Sequence, residues 1–158
     1  MKEILKENTI INDFSVILDD GKNVKLSSLI GKKGIILYFY PKDLTPGCTK
    51  EACGFRDAIS ELQNLGYNVV GVSADSVSSH QKFKEKYQLN FPLISDEQKE
   101  LAEYFGVWKE KKMYGKTTMG IQRTTFIIDK NLKIIKVYPK VKVETHALDI
   151  LADLKGNT

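Results

Sequence analysis

Apolar residues change their rhythm several times along this chain, and each change predicts an element. In FSVILDDGKNVKLSSL, residues 14–29, apolar and polar positions alternate around Asp20-Gly21, the pattern of a hairpin. GIILYFY, residues 34–40, is apolar without a break and predicts a strand buried on both faces. From Pro46 to about Leu65 the residues Ala52, Phe55, Ile59 and Leu62 recur at helical spacing, which predicts a helix lying on a sheet. YNVVGVSA (67–74) reads as a second strand. Helices are expected from about Ser78 to Tyr87 and, briefly, around Lys99 to Phe105. TTFIID and KIIKVYP, joined by the turn DKNLK, predict a closing hairpin, and a last helix should run from His146 to Leu154. KEKKMYGKTTMG, residues 109–120, shows neither period and is expected to be an exposed loop with solvated lysines. Strand, helix, strand, helix, hairpin, helix is an α/β order: a mixed central β-sheet flanked by helices, after an N-terminal hairpin.

At 158 residues, one domain spanning 1–158 is expected. Hydrophobic residues at 42% and charged ones at 28% fit a globular chain. The net charge of +4 is mild, and no basic repeat or aromatic ladder suggests a nucleic acid partner. MKEILKENTIIND has charges where an export signal needs an apolar core, and no apolar run approaches the ~20 residues that span a bilayer. A cytoplasmic protein is therefore expected. In a reducing compartment, two cysteines point to catalysis, redox sensing or metal binding before a permanent bridge.

Both cysteines, Cys48 and Cys53, fall in TPGCTKEACGF at the start of the long helix. Thr45 suits the N-cap and Pro46 the first helical position, which puts Cys48 third, where unpaired N–H groups and the helix dipole favour an anion. Thiols in that setting ionise more readily than free ones, so Cys48 is the better candidate nucleophile. Cys48 points along the apolar stripe and Cys53 faces outward, beside Arg56, Asp57 and Ser60. On a regular helix, Cα atoms five residues apart are roughly 8–9 Å apart, beyond the ~7 Å limit for a disulfide. Joining them requires the helix start to unwind, and Gly54 weakens it there by ~1 kcal/mol. Two unrelated cysteines remain an alternative from the pair alone. Zinc fits poorly, because the spacing is C-x4-C and the histidines, His80 and His146, are far apart in sequence; C-x-x-C is absent.

The surroundings narrow the choice. YPKDLTPGCTKEACGFRD, residues 40–57, resembles the peroxiredoxin active site, with Pro41, Thr45 and Cys48 in its Pro-x3-Thr-x2-Cys pattern. A second cysteine five residues on is similar to the bacterioferritin comigratory protein, or peroxiredoxin Q, group. SADSVSSHQKF, FPLISD and GIQRTTFIID resemble its later segments in order. The resemblance implies a thioredoxin-like fold and reduction of hydrogen peroxide and organic hydroperoxides, with no metal, flavin or haem. It also implies Cys48 as peroxidatic, Cys53 as resolving, Arg123 as holding thiolate and peroxide, and thioredoxin or a similar dithiol as reductant. The C-terminus lacks the Val-Cys-Pro segment of the two-cysteine dimers, so the bond expected is Cys48–Cys53 within one chain, and the chain is expected to be a monomer.

On that basis Thr45, the N–H groups of Gly47 and Cys48, and Arg123 would stabilise the leaving oxygen, Gly47 would let the backbone approach it, and Pro41 would exclude water. Glu51, one turn after Cys48, complicates the site by like charge, which Lys50 or Arg123 could offset. His80 is expected on a helix face away from the site, Trp108 and Tyr40 in packing, and Thr124 as a strand residue that could support Arg123. A non-enzymatic thiol sensor and an inactive thioredoxin-like scaffold are the rival functions.

Overall fold

The computed structural model describes residues 2–156, without the Met113 side chain. The N-terminal hairpin forms as the alternation requires: β1 (Ser15–Ile17) pairs antiparallel with β2 (Asn23–Lys25), followed by a 3-10 turn at Leu26–Leu29. The apolar run becomes β3 (Gly34–Phe39), every residue of it buried. Then come α1 (Pro46–Asn64), β4 (Tyr67–Ser73), α2 (Val77–Tyr87), β5 (Leu93–Ser95) and α3 (Glu100–Tyr104). The chain continues through β6 (Trp108–Met113), β7 (Lys116–Ile121), β8 (Thr124–Asp129), β9 (Ile134–Tyr138) and α4 (His146–Gly156).

Five strands make the central sheet, in the order β5-β4-β3-β8-β9. β3 runs parallel to β4 and antiparallel to β8, so the sheet is mixed. The period of two along β3 separates two cores. Ile36, Tyr38 and Tyr40 face α1, α2 and α4, where they meet Cys48, Ala52, Phe55, Ile59, Leu62, Phe83 and Ile150. Ile35, Leu37 and Phe39 face the opposite layer, built from Leu26, α3 and Phe105. Phe105 lies between Phe39 and Phe126, with ring centroids at 5.2 and 4.8 Å. Burying a side chain of this size contributes about 1.5–3 kcal/mol.

Two expectations need correction. Residues 109–120 are not a loop: β6 and β7 pair antiparallel, Trp108 with Ile121 through Met113 with Lys116. Tyr114 and Gly115 turn the chain with φ of +52° and +77°, the geometry of a tight two-residue hairpin turn. Solvent on both sides of the distal ribbon removes the apolar alternation that normally marks a strand. β5 is a further strand that the pattern does not predict, since three residues show no period.

Candidate active site

α1 begins where the sequence places it. Thr45 has extended backbone angles (φ −86°, ψ 153°), Pro46 is the first helical residue, and Cys48 is the third. The N-cap expectation holds for the backbone only: the Thr45 hydroxyl donates to the Lys42 carbonyl at 2.9 Å and makes no cap. Helix geometry leaves the Gly47 and Cys48 N–H groups without intrahelical carbonyls, because the first bond into the cap is Thr49 N–H to Thr45 O at 2.9 Å. Cys48 is buried at 1% exposure and Cys53 is half-buried; both are free thiols in one unbroken helix. The contrast between a tucked-in Cys48 and a more accessible Cys53 is therefore present. Pro41 follows β3 and Tyr40 and is half-buried.

Arg123 reaches this helix start from across the sheet. Phe39 and Thr124 are register partners, so the residue just before β8 stands beside the chain leaving β3. Thr124 is buried and donates to the Gln122 carbonyl at 2.9 Å, bracing the backbone on the far side of Arg123. Arg123 Nη2 donates to Cys48 Sγ at 3.3 Å, and Nη1 donates to Glu51 Oε1 at 2.6 Å. Gly47 lets the guanidinium lie close: a Cβ there would stand 3.3 Å from Arg123 Nη2, tight enough to push it back by a few tenths of an ångström.

Glu51 is more deeply placed than its charge suggests, at 1% exposure. Burial pushes its carboxyl up to about 7, against the opposing pull of Arg123. Among the described residues its Oε2 has no hydrogen-bond partner, and neither has the buried Tyr38 hydroxyl. Arg123 offsets the Glu51 charge, whereas Lys50 is exposed. The site also draws on a residue with no sequence signal. Lys111 of β6 is half-buried, and its ammonium is held below the usual lysine range by burial and by Arg123, while Cys48 favours its charge. Recognising it requires knowing that 109–120 folds as a hairpin.

The remaining candidates lie outside this cluster. His80 is on α2, fully buried, and bonded to Asp43 rather than to Cys48. Tyr40 packs in the helix-side core while its hydroxyl reaches Asp43 at 2.6 Å. Trp108 packs against the opposite layer at the base of β6, with Lys99 Nζ 5.6 Å from its ring centre.

A buried thiol at a helix N-terminus, touched by a guanidinium, is suited to holding a sulfur anion and the charge that leaves it. Comparison with known proteins agrees. Residues 8–137 match the AhpC/TSA family. The chain is 53% identical over 137 residues to peroxiredoxin Bcp of Bacillus subtilis, covering 87% of each chain. It superposes on a cysteine-to-serine mutant of Xylella fastidiosa PrxQ with a TM-score of 0.92 at 34% identity, covering 99% of both chains. It also superposes on the bacterioferritin comigratory protein of Xanthomonas campestris, studied for its alkyl peroxide reduction activity, with a TM-score of 0.84 at 40% identity over 91% of each. Sequence, fold and thiol site thus converge, and the chain belongs to the AhpC/TSA family as a thioredoxin-fold thiol peroxidase of the Bcp, or peroxiredoxin Q, group.

Proposed function

We propose that this chain reduces hydrogen peroxide and organic hydroperoxides with Cys48 as the attacking thiol, Cys53 as the resolving thiol and a thioredoxin-like dithiol as reductant. The observation that carries the reading is the 3.3 Å contact from Arg123 to a buried sulfur at the start of α1. The Cys48 thiolate attacks one peroxide oxygen, the O–O bond breaks, and sulfur gives up two electrons to become a sulfenic acid. The departing oxygen leaves as an alkoxide or hydroxide and takes a proton to become alcohol or water. Arg123 and the N–H groups of Gly47 and Cys48 supply donors where that charge develops. Thr45 adds its hydroxyl only by releasing Lys42 O. Pro41 shields the site, which strengthens these interactions.

The Cys53 thiol then condenses with the sulfenic acid, forming the S–S bond and releasing water. Both cysteines sit in one helix, so its first turns must open for this step. A dithiol reduces the bond by exchange and is itself oxidised. Such a supply belongs to a reducing cytoplasm; residues 1–158 are read as one domain, and a monomer suffices for the cycle because both thiols lie on one helix of one chain.

The test adds one equivalent of hydrogen peroxide to reduced protein, followed by a rapid quench, thiol counting and intact mass. Loss of both thiols with a mass drop of about two hydrogens and no dimer supports the cycle. A Cys53→Ser variant is expected to stop after one turnover as a sulfenic acid that dimedone traps. Sustained thioredoxin-linked turnover by that variant removes Cys53 from the mechanism. Wild-type protein that consumes only one equivalent with thioredoxin present is a sensor and not a peroxidase.

A further inference from the structure

Behind the active-site loop lies a buried polar cluster that the chemistry above does not use. Asp43, in the loop between Pro41 and Thr45, is 5% exposed, and His80 on α2 is fully buried. His80 Nδ1 is 2.7 Å from Asp43 Oδ2, and Nε2 is 2.9 Å from the Ile94 carbonyl. A carbonyl and a carboxylate only accept, so the form that satisfies both contacts donates through both nitrogens and is an imidazolium. Asp43 also accepts from the Tyr40 hydroxyl at 2.6 Å and the Ser79 hydroxyl at 2.8 Å. Its own N–H donates to Asp75 Oδ2 at 2.8 Å. Asp43, Asp75 and His80 bring ligand atoms within 4.8 Å of one another, but a histidine donating through both nitrogens has no lone pair for a cation.

The loop needs restraint. Leu44, between Asp43 and Thr45, has φ of +64°, a left-handed conformation that crowds the Cβ of a non-glycine residue. Leu44 is 44% exposed, so packing of its side chain does not account for that geometry. The constraint comes from its neighbours: Asp43, fixed at its amide and its carboxylate, and Thr45, tied back to Lys42 and leading into α1.

We propose that Asp43 and His80 form an ionic latch that holds the loop from Pro41 to Thr45, and through it the start of α1, in the geometry that oxidises Cys48. Both are positioning residues, acting through the loop. The charged groups facing His80 are Asp43 from the loop and Asp75 from the segment after β4, with the Tyr40 hydroxyl at 3.4 Å from the end of β3; α2 and β5 contribute the Ser79 hydroxyl and the Ile94 carbonyl. Burial, the largest single influence, pulls His80 down, but the Asp43 hydrogen bond and charge, the Ile94 carbonyl and the Asp75 charge together hold the imidazole above its ordinary value. The ion pair is therefore present at lower pH and is lost as pH rises through the folded-state titration of His80, when the neutral imidazole has a single N–H left for the Asp43 carboxylate and the Ile94 carbonyl and the charge attraction that fixes the loop is gone.

The inference rests on Cys48 being the thiol that peroxide oxidises. The experiment follows Cys48 oxidation by hydrogen peroxide in reduced full-length protein, by stopped flow across pH, alongside imidazole NMR of the chain's two histidines. In wild type the rate should fall at alkaline pH with the midpoint of the His80 titration. His80→Gln should be about tenfold slower at neutral pH, keep its thiolate absorbance and lose that alkaline fall. Ser79→Ala, which retains the ion pair, should slow the step less. A folded His80→Gln that oxidises within about twofold of wild type overturns the latch and leaves the peroxidase reading intact. A wild-type alkaline midpoint that does not follow His80 also overturns it, whether or not the variant folds. Wild-type Cys48 that does not oxidise overturns the peroxidase reading first.

Discussion

Glu51, one turn beyond Cys48 on α1, accepts a 2.6 Å hydrogen bond from Arg123, the same guanidinium that contacts the Cys48 sulfur at 3.3 Å. A planar fork with fixed donors serves both partners at once, which an ammonium on a flexible stem does not reproduce. Glu51 therefore aims Arg123 as well as burdening the site with charge.

Arg123→Lys is expected to slow Cys48 oxidation by about 100-fold, the usual effect of losing one donor to developing charge. Stopped-flow kinetics with hydrogen peroxide measure it. A loss below about threefold would show that the backbone N–H groups suffice.

Glu51 also links stability to pH. Its carboxyl titrates at about 7 in the folded chain because burial disfavours the charge, whereas an unfolded glutamate titrates near ~4.3. The folded state thus holds the extra proton in that window, and stability falls as pH rises through it. Glu51→Gln is neutral throughout. It should gain on wild type from pH ~5 to ~8, by an amount on the order of 3 kcal/mol, read by urea unfolding at both ends.

His146 works in the opposite sense. Burial holds it down at about 4, with its Nε2 2.8 Å from the Thr125 hydroxyl. An unfolded histidine takes a proton near ~6.5, so this contribution is present above that pH and is lost as pH falls towards 4. Between pH ~4.5 and ~6.5 the two slopes oppose each other in wild type, so His146→Gln should leave the Glu51 contribution unopposed and tilt stability downward with rising pH, and Glu51→Gln should leave the His146 contribution unopposed and tilt it upward. Unfolding curves at half-unit steps distinguish the two.

Gly54 lies inside α1, one residue after Cys53, and a Cβ there would meet Ala147 Cβ at an ordinary 3.6 Å. Gly54→Ala should strengthen the helix by ~1 kcal/mol and slow disulfide formation about fivefold, leaving sulfenic acid formation unchanged. Quench-flow mass spectrometry separates the steps. Equal slowing of both would mean that the substitution disturbs the resting site.

Several parts of this architecture are legible in the sequence because one-dimensional period maps onto burial. Ala52, Phe55, Ile59 and Leu62 are all buried, and the unbroken run at β3 is buried on both faces. The helix start at Thr45–Pro46 is legible because the fixed φ of proline suits the first helical position locally, even though the Thr45 hydroxyl turns to Lys42 O and makes no cap. Arg123 is different: only the resemblance singles it out, since its approach to Cys48 depends on the register of Phe39 with Thr124, two strands far apart in sequence. Asp43 and His80 are illegible as a pair for the same reason. The β6–β7 ribbon escapes a sequence reading because its half-buried positions include Lys109 and Lys111 and the rest of its lysines and threonines are exposed, so no apolar alternation is written into the chain.

That ribbon gives the molecule a built-in optical reporter. Trp108, the sole tryptophan, stands at its base opposite Ile121, two residues before Arg123. Indole emission thus comes from a strand end tied by register to the segment that carries the guanidinium. A rearrangement of Arg123 on oxidation of Cys48 would reach the indole through that register, and intrinsic fluorescence of the unlabelled protein during peroxide addition tests for it.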